Sequence, residues 1–218
     1  MTFEKQLPRG LRIVSTSGEH FEPLAALQRV VFPTLAEAEL FTAEQYRQHV
    51  ELFPEGQFAA IDGDRVVGMT STIRYAFDFE RPDHTFEEVS DGGWLTSHQP
   101  DGGWLYGMDI GVDPACRGRG IARALYAARQ DLVRRLGLAG QVTVGLMNGY
   151  NAVADRMTPE SYYAELAAGE RDDPTVSAQR RIGFAPRGLV RGYVTDPRCG
   201  NCGVLLVLTA SQDVPWPR

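Results

Sequence analysis

The sequence predicts a mixed α/β fold (α+β in arrangement) built as one domain spanning residues 1–218. Three observations carry that reading. Strand-type runs are interleaved with helical apolar spacing along the whole chain. No shift in composition marks a linker. The length of 218 residues suits one ordinary domain with a substantial core, assigned to about residues 11–210.

Taken in order, Leu11 to Val14 alternates weakly and predicts a first strand before Ser-Thr-Ser-Gly turn chemistry. Phe21, Leu24, Leu27 and Val31 recur at helical spacing, and Pro33 should end that helix. Thr42 followed by Gln45 has the form of a helix N-cap, opening a second helix toward Leu52. Gln57–Ile61 and Val66–Tyr75 flank Asp62-Gly-Asp-Arg65, the signature of an antiparallel hairpin. Residues 77–103 are irregular and read as one long loop or lid; Asp-Gly-Gly-Trp-Leu occurs at 91–95 and again at 101–105, too few copies for a repeat architecture. Trp104–Val112 is a strand candidate, Gly118–Leu136 a strong helix, and Gln141–Met147 another strand. Residues 148–172 form an inserted segment in which Thr158 and Pro159 open a helix to about Ala168. A short helix from Asp172 to Arg181 stops at Gly183, and Phe184–Val194 and Val204–Leu208 close the chain as strands.

Composition narrows the function. Hydrophobic residues at 43% and charged residues at 23% exclude a disordered chain. A net charge of −6 argues against wholesale attraction to nucleic acid or to an anionic membrane. Three cysteines make no disulfide framework, so the expected compartment is the reducing cytoplasm. The opening MTFEKQLPRG lacks the apolar core of a signal peptide, and no apolar run approaches the ~20 residues of a membrane span.

The chemistry concentrates in Met108-Asp-Ile-Gly-Val-Asp-Pro-Ala-Cys-Arg-Gly-Arg-Gly-Ile-Ala122. A strand ends at Asp113-Pro114, a Gly/Arg turn follows, and a helix starts at once. A helix N-terminus offers unpaired N–H groups and partial positive charge, so it suits an anion. Gly118 and Gly120 let the backbone approach a phosphate, and Arg117 and Arg119 add charge-assisted donors. The spacing fits neither the triphosphate loop nor the dinucleotide loop.

Arg117-x-x-Gly120-x-Ala122 after a Val-Asp-Pro strand end resembles the pyrophosphate loop of the GNAT N-acetyltransferases, and Gly183-Phe184 after a later helix agrees. Phe53–Phe58, Leu105–Asp109, Met157–Glu160 and Asp173-Pro174 look like the acetyltransferase-type domain found fused to nitrilase-type amidohydrolases. The likeness runs from about Leu11 to Leu208, which leaves a stand-alone relative as the expectation.

That resemblance implies a central, mostly antiparallel mixed sheet with a splayed strand pair, flanked by helices, with acetyl-CoA as cosubstrate and no metal. Ile110, Gly111 and Val112 would face the pantetheine, and Arg117, Gly118, Arg119, Gly120, Ile121 and Ala122 the pyrophosphate. It implies direct attack of an amine on the thioester, with main-chain N–H groups near the strand break polarising the carbonyl. The acceptor would be a small-molecule or peptide amine, cationic in view of the acidic loop around His84 and His98. The other reading is a coenzyme-A-binding docking or regulatory module with little activity. A homodimer through the last strands is compatible with either.

Asp109 is the candidate general base, an acidic residue inside an apolar strand; the competing reading is a strand-edge charge, solvated or paired with an Arg. Many relatives carry a Tyr four residues before the Gly-Phe pair as the thiolate's acid, and that position is Gln179 here. Tyr150, with Tyr162 and Tyr163, is the candidate substitute; the competing reading, favoured for any one of them, is structural burial. Cys199-x-x-Cys202 lacks a second pair and reads as coincidence in a Gly-rich turn, and Cys116 as a small packed residue. The loop histidines read as part of a solvated acidic segment.

Overall fold

A computed structural model describes residues 3–217. Among these described residues ten strands form two five-stranded sheets, flanked by six α-helices. In the first sheet the order is β1 (Glu4–Gln6), β2 (Leu11–Ser15), β3 (Phe58–Asp62), β4 (Arg65–Thr70), β7 (Gly111–Val112). In the second it is β5 (Thr72–Tyr75), β6 (Trp104–Gly107), β8 (Gly140–Leu146), β10 (Gly203–Thr209), β9 (Ala185–Val190). Every pairing is antiparallel except β6 with β8. The mixed α/β class therefore stands, and its sheet is mostly antiparallel as expected. No helix among the described residues is long and apolar enough to cross a membrane.

Two predicted strands each divide. The run from Val66 to Tyr75 breaks at Ser71 into β4 and β5, and the run from Trp104 to Val112 breaks at Met108–Ile110 into β6 and β7. The breaks sit opposite each other, with Met108 N–H donating to Ser71 O at 3.0 Å. Apolar alternation cannot reveal such a break, because both halves stay buried. The parallel β6–β8 ladder ends at Gly107↔Thr143; beyond it the chain pairs only with β4, while β8 continues with β10 to Leu146. The gap that opens between Ile110–Val112 and Val144–Leu146 is the splay on which the site is built.

Helices α1 (Phe21–Val31) and α2 (Ala43–Leu52) follow the predicted spacing. Thr42 Oγ1 accepts from Gln45 N–H while the Gln45 side chain caps Thr42, a reciprocal capping box. Helix α4 (Ile121–Arg135) buries Ile121, Leu125, Ala128 and Leu132 against Leu11, Ile13, Val67 and Leu105. Full burial of each Ile or Leu side chain among them is worth about 1.5–3 kcal/mol. Helices α5 (Pro159–Ala168) and α6 (Val176–Ile182) lie where the Thr158 cap and Gly183 place them.

Residues 77–103 are not an open lid. They contain α3 (Phe86–Ser90), capped by Thr85 and Glu88, and Phe86, Val89 and Leu95 are buried. Trp94 is 43% exposed, whereas Trp104 is half-buried at the start of β6 and packs on Phe79. Of the last strands, β10 lies inside its sheet and only β9 presents an edge.

Candidate active site

A cavity of about 780 Å³ runs from the N-terminus of α4 through the splay to the segment joining α1 and α2. Gly120 is the N-cap of α4 with φ +80°, and no side chain caps the helix. The first turn's main-chain bond is Ala124 N–H to Gly120 O, so the N–H groups of Ile121, Ala122 and Arg123 have no helical partners. Gly118, Gly120, Ile121 and Ala122 line the cavity here, with exposed Arg117 and Arg123 beside them. A Cβ on Gly118 would meet nothing within 4 Å, which leaves the backbone open to a large anion. The residues present suit a pyrophosphate.

Ile110 and Val112 line one wall of the splay, with Val144, Gly145 and Leu146 opposite. Asp109 stands at the strand break, partly exposed toward the cavity and crowded by protein elsewhere. Its Oδ1 accepts from Ser71 N–H at 2.5 Å, and its Oδ2 from Gln28 Nε2 at 2.7 Å and from Tyr46 Oη at 3.4 Å. Gln28 comes from α1 and Tyr46 from α2, so the packing of these two helices sets the carboxyl's environment. Burial pushes that carboxyl above the usual carboxylate range, against its hydrogen bonds and the positive field of Arg129.

Arg129 on α4 was not foreseen. It is 1% exposed, and its Nη2 donates to the carbonyl oxygens of Ser71 and Asp109, the two residues at the paired strand breaks. Its guanidinium also lies 5.4 Å from the Tyr126 ring centroid. Gly107 makes room for it: a Cβ there would run into Nη1 and stand 2.8 Å from Cζ. Gly107→Ala should therefore destabilise the protein by about 1–3 kcal/mol. Thermal unfolding should show a fall in Tm of roughly 3–10 °C; an unchanged Tm would mean Arg129 can be displaced at no cost.

Residues 21–158 match the family model of the Acetyltransferase (GNAT) family, more than half of the chain. The chain belongs to the GNAT acetyltransferases. The "Uncharacterized N-acetyltransferase YkwB" of Bacillus subtilis (strain 168) is 31% identical over 186 residues, 85% of this chain and 82% of that protein. The "Probable hydrolase YhcX" of the same organism is 32% identical over 194 residues, 89% of this chain; the chain spans only 36% of that relative's length. Among solved structures, the loading GNATL domain of CurA from Lyngbya majuscula superposes with a TM-score of 0.76 at 19% identity, covering 92% of this chain and 98% of that one. The GphF GNAT-like decarboxylase in complex with isobutyryl-CoA gives 0.75 at 21% identity, covering 91% and 99%. Those two likenesses speak to the fold alone.

Within this GNAT fold the residues expected from sequence separate into two sets. Asp109, Ile110, Val112, Arg117, Gly118, Gly120, Ile121 and Ala122 are gathered around one cavity. Gly111 sits behind the wall, where a Cβ would crowd Met69 and Val31. Arg119 turns away, its Nη1 2.6 Å from Asp62 Oδ2, so its guanidinium is not among the cavity's donors. Tyr150 is not brought to the cavity: it is buried, and its hydroxyl donates to Met157 O at 2.9 Å. Tyr162 is likewise occupied, donating to Asp173 Oδ2 at 2.9 Å.

Gln179, in the position of the missing tyrosine, does line the cavity. It is 4% exposed, its Nε2 donates to Tyr126 Oη at 2.9 Å, and its Oε1 has no partner among the described residues. Sequence reasoning missed Arg129, Gln28 and Tyr46, because buried polar residues on amphipathic helices carry no motif. The two turn cysteines are buried free thiols, and burial pushes Cys199 up to about 12, which keeps it unreactive.

Proposed function

We propose that this GNAT protein transfers an acetyl group from acetyl-CoA to the nitrogen of an amine. The observation that carries the reading is a single cavity joining the uncapped, glycine-lined start of α4, across the strand gap, to a crowded carboxyl with a raised pKa. Main-chain N–H groups of Ile121, Ala122 and Arg123, with Arg117, would hold the pyrophosphate. Ile110 and Val112 would hold the pantetheine arm. When bound, acetyl-CoA supplies the thioester that the amine attacks.

Asp109 takes a proton from the nitrogen as the new C–N bond forms, and Gln28 and Ser71 keep its oxygens aimed. Gln179 is an amide and has no acidic proton to give. The protonated Asp109 carboxyl therefore also returns that proton to the departing sulfur, and its raised pKa suits both halves of the task. At the acceptor end Glu39, Asp109 and Asp196 outnumber Arg198, which lines it with them, and Glu39 Oε2 has no hydrogen-bond partner among the described residues. A cationic amine, small molecule or peptide, would fit that field.

One observation favours a second reading. With no tyrosine at 179, the cavity resembles a thioester-binding site without the usual acid, and one protein of similar fold is named a decarboxylase. The test presents acetyl-CoA with a panel of cationic, neutral and anionic primary amines and follows release of free thiol. Turnover with cationic amines first is expected. Carbon dioxide release from a carboxylated acyl-CoA would favour the second reading, and stabilisation by acetyl-CoA without any turnover would favour a binding module.

A further inference from the structure

His84 lies between β5 and α3, half-buried, with both ring nitrogens engaged. Nδ1 is 2.7 Å from Pro82 O, and Nε2 is 2.6 Å from the hydroxyl of Tyr106 on β6. A carbonyl oxygen can only accept, so Nδ1 carries a proton. Burial holds the imidazole below its ordinary pKa, against the raising effects of the Pro82 bond, Glu88 and Asp83, so at neutral pH the ring carries that proton alone. Nε2 is then a lone-pair acceptor, and Tyr106 donates to it. Tyr106 and Tyr193 hydroxyls are 3.2 Å apart; with the Tyr106 proton committed to His84, Tyr193 must be the donor. Tyr193 is 3% exposed and lines the cavity near Glu39, while Tyr106 is fully buried. Every donor in the chain points one way, from the cavity wall to a half-exposed imidazole.

We propose that Tyr193, Tyr106 and His84 form a proton relay that carries one proton of the bound substrate ammonium out of the cavity to solvent. The relay rests on the amine-acetylation reading and supplies what that reading lacks. An ammonium loses two protons on becoming an amide nitrogen; one returns to the departing sulfur, and the other has to leave the protein. No side chain bonded to Asp109 leads onward to solvent: its partners are Ser71 N–H, Gln28 and Tyr46, and Tyr46 leads on only to Met69 Sδ at 3.4 Å. In the relay the substrate N–H bond breaks as a proton passes to Tyr193 Oη. The Tyr193 proton passes to Tyr106 and the Tyr106 proton to His84 Nε2, leaving an imidazolium. The imidazole ring turns to release its Nε2 proton to solvent, keeping the one on Nδ1, and the ring and hydroxyls then return to their starting orientations. Tyr193 is the catalytic member, and Tyr106 and His84 act through it.

The titratable groups facing the relay are Glu88, Asp83, Glu39 and Tyr75. Once His84 is protonated, Nε2 becomes a donor and the direction of the chain is lost, so turnover should fall as pH drops through a value below 6.5.

Tyr106→Phe interrupts the relay and keeps the ring, and Tyr193→Phe is a second variant at the cavity end. Nitrogen NMR of the wild type should show His84 protonated at Nδ1 with Nε2 accepting a hydrogen bond, and that bond should vanish in Tyr106→Phe. Each variant should lose about tenfold or more in kcat, keep its KM for acetyl-CoA, and lose the acid limb assigned to His84. A His84 ring protonated at Nε2, or folded variants with wild-type kcat and pH profile, would overturn the relay alone. No wild-type turnover with any amine would overturn the acetylation reading and the relay with it.

Discussion

Asp109→Asn should lower kcat by about 10²–10³-fold while changing acetyl-CoA affinity little, because the carboxyl stands at the strand break and the phosphate-binding helix lies elsewhere. The same variant should fold as well as the wild type, or better. Asn offers an oxygen that still accepts from Ser71 N–H, its amide nitrogen is met once the Gln28 amide turns its oxygen inward, and the change removes an ionised group from a crowded site. The direction with pH follows from the raised pKa of Asp109. A carboxyl whose folded-state pKa lies above its ordinary value of 3.8 carries no penalty below that value, where it is protonated in both states. As pH rises through the folded-state pKa, the ionised form becomes costly to the folded protein. The Tm difference between the Asp109→Asn protein and wild type should therefore favour the variant near pH 8 and shrink toward acid pH. Undiminished turnover would take the base role from Asp109, and a large loss of Tm at every pH would make its role structural.

The division between what the sequence disclosed and what it hid follows physical lines. Thr42 with Gln45, Thr158 with Pro159, and Gly120 announce helix ends because capping and left-handed backbone need particular residue types. The phosphate loop was legible for the same reason. Thr85-x-x-Glu88 carries the same capping signal, yet α3 lay hidden in a segment read as loop, since five residues show no helical period. The breaks at Ser71 and Met108–Ile110 were hidden because strand alternation is indifferent to which sheet a strand joins. Tyr150 failed as a candidate because nearness in sequence to the site says nothing about where the hydroxyl points; Met157 O claims it. Arg129 and the His84–Tyr106–Tyr193 chain depend on contacts across 20 or more residues of sequence, which no local pattern records.

Gly120→Glu should weaken acetyl-CoA binding by about 100-fold or more, the energy of a repulsion between a carboxylate and a pyrophosphate in contact near the surface, a few kcal/mol at an effective dielectric of ~20. Two effects act at this position and can be separated. Gly120 holds φ +80°, a region in which a side chain costs about 1–2 kcal/mol, and a Cβ would stand 3.1 Å from Pro217 Cβ and Cγ. Gly120→Ala carries the backbone strain and the Pro217 contact without the charge. It should lower Tm by a few degrees and affinity only several-fold. The remaining difference between the Ala and Glu variants then reports the anion site itself, and it should narrow as salt screens the charge. Isothermal titration with acetyl-CoA and with dephospho-acetyl-CoA completes the argument. If the α4 N-terminus holds the pyrophosphate, which both ligands carry, the Glu penalty should appear with each of them. A penalty equal in the Ala and Glu variants would show that shape alone governs Gly120, and the N–H groups of Ile121, Ala122 and Arg123 would lose their assignment.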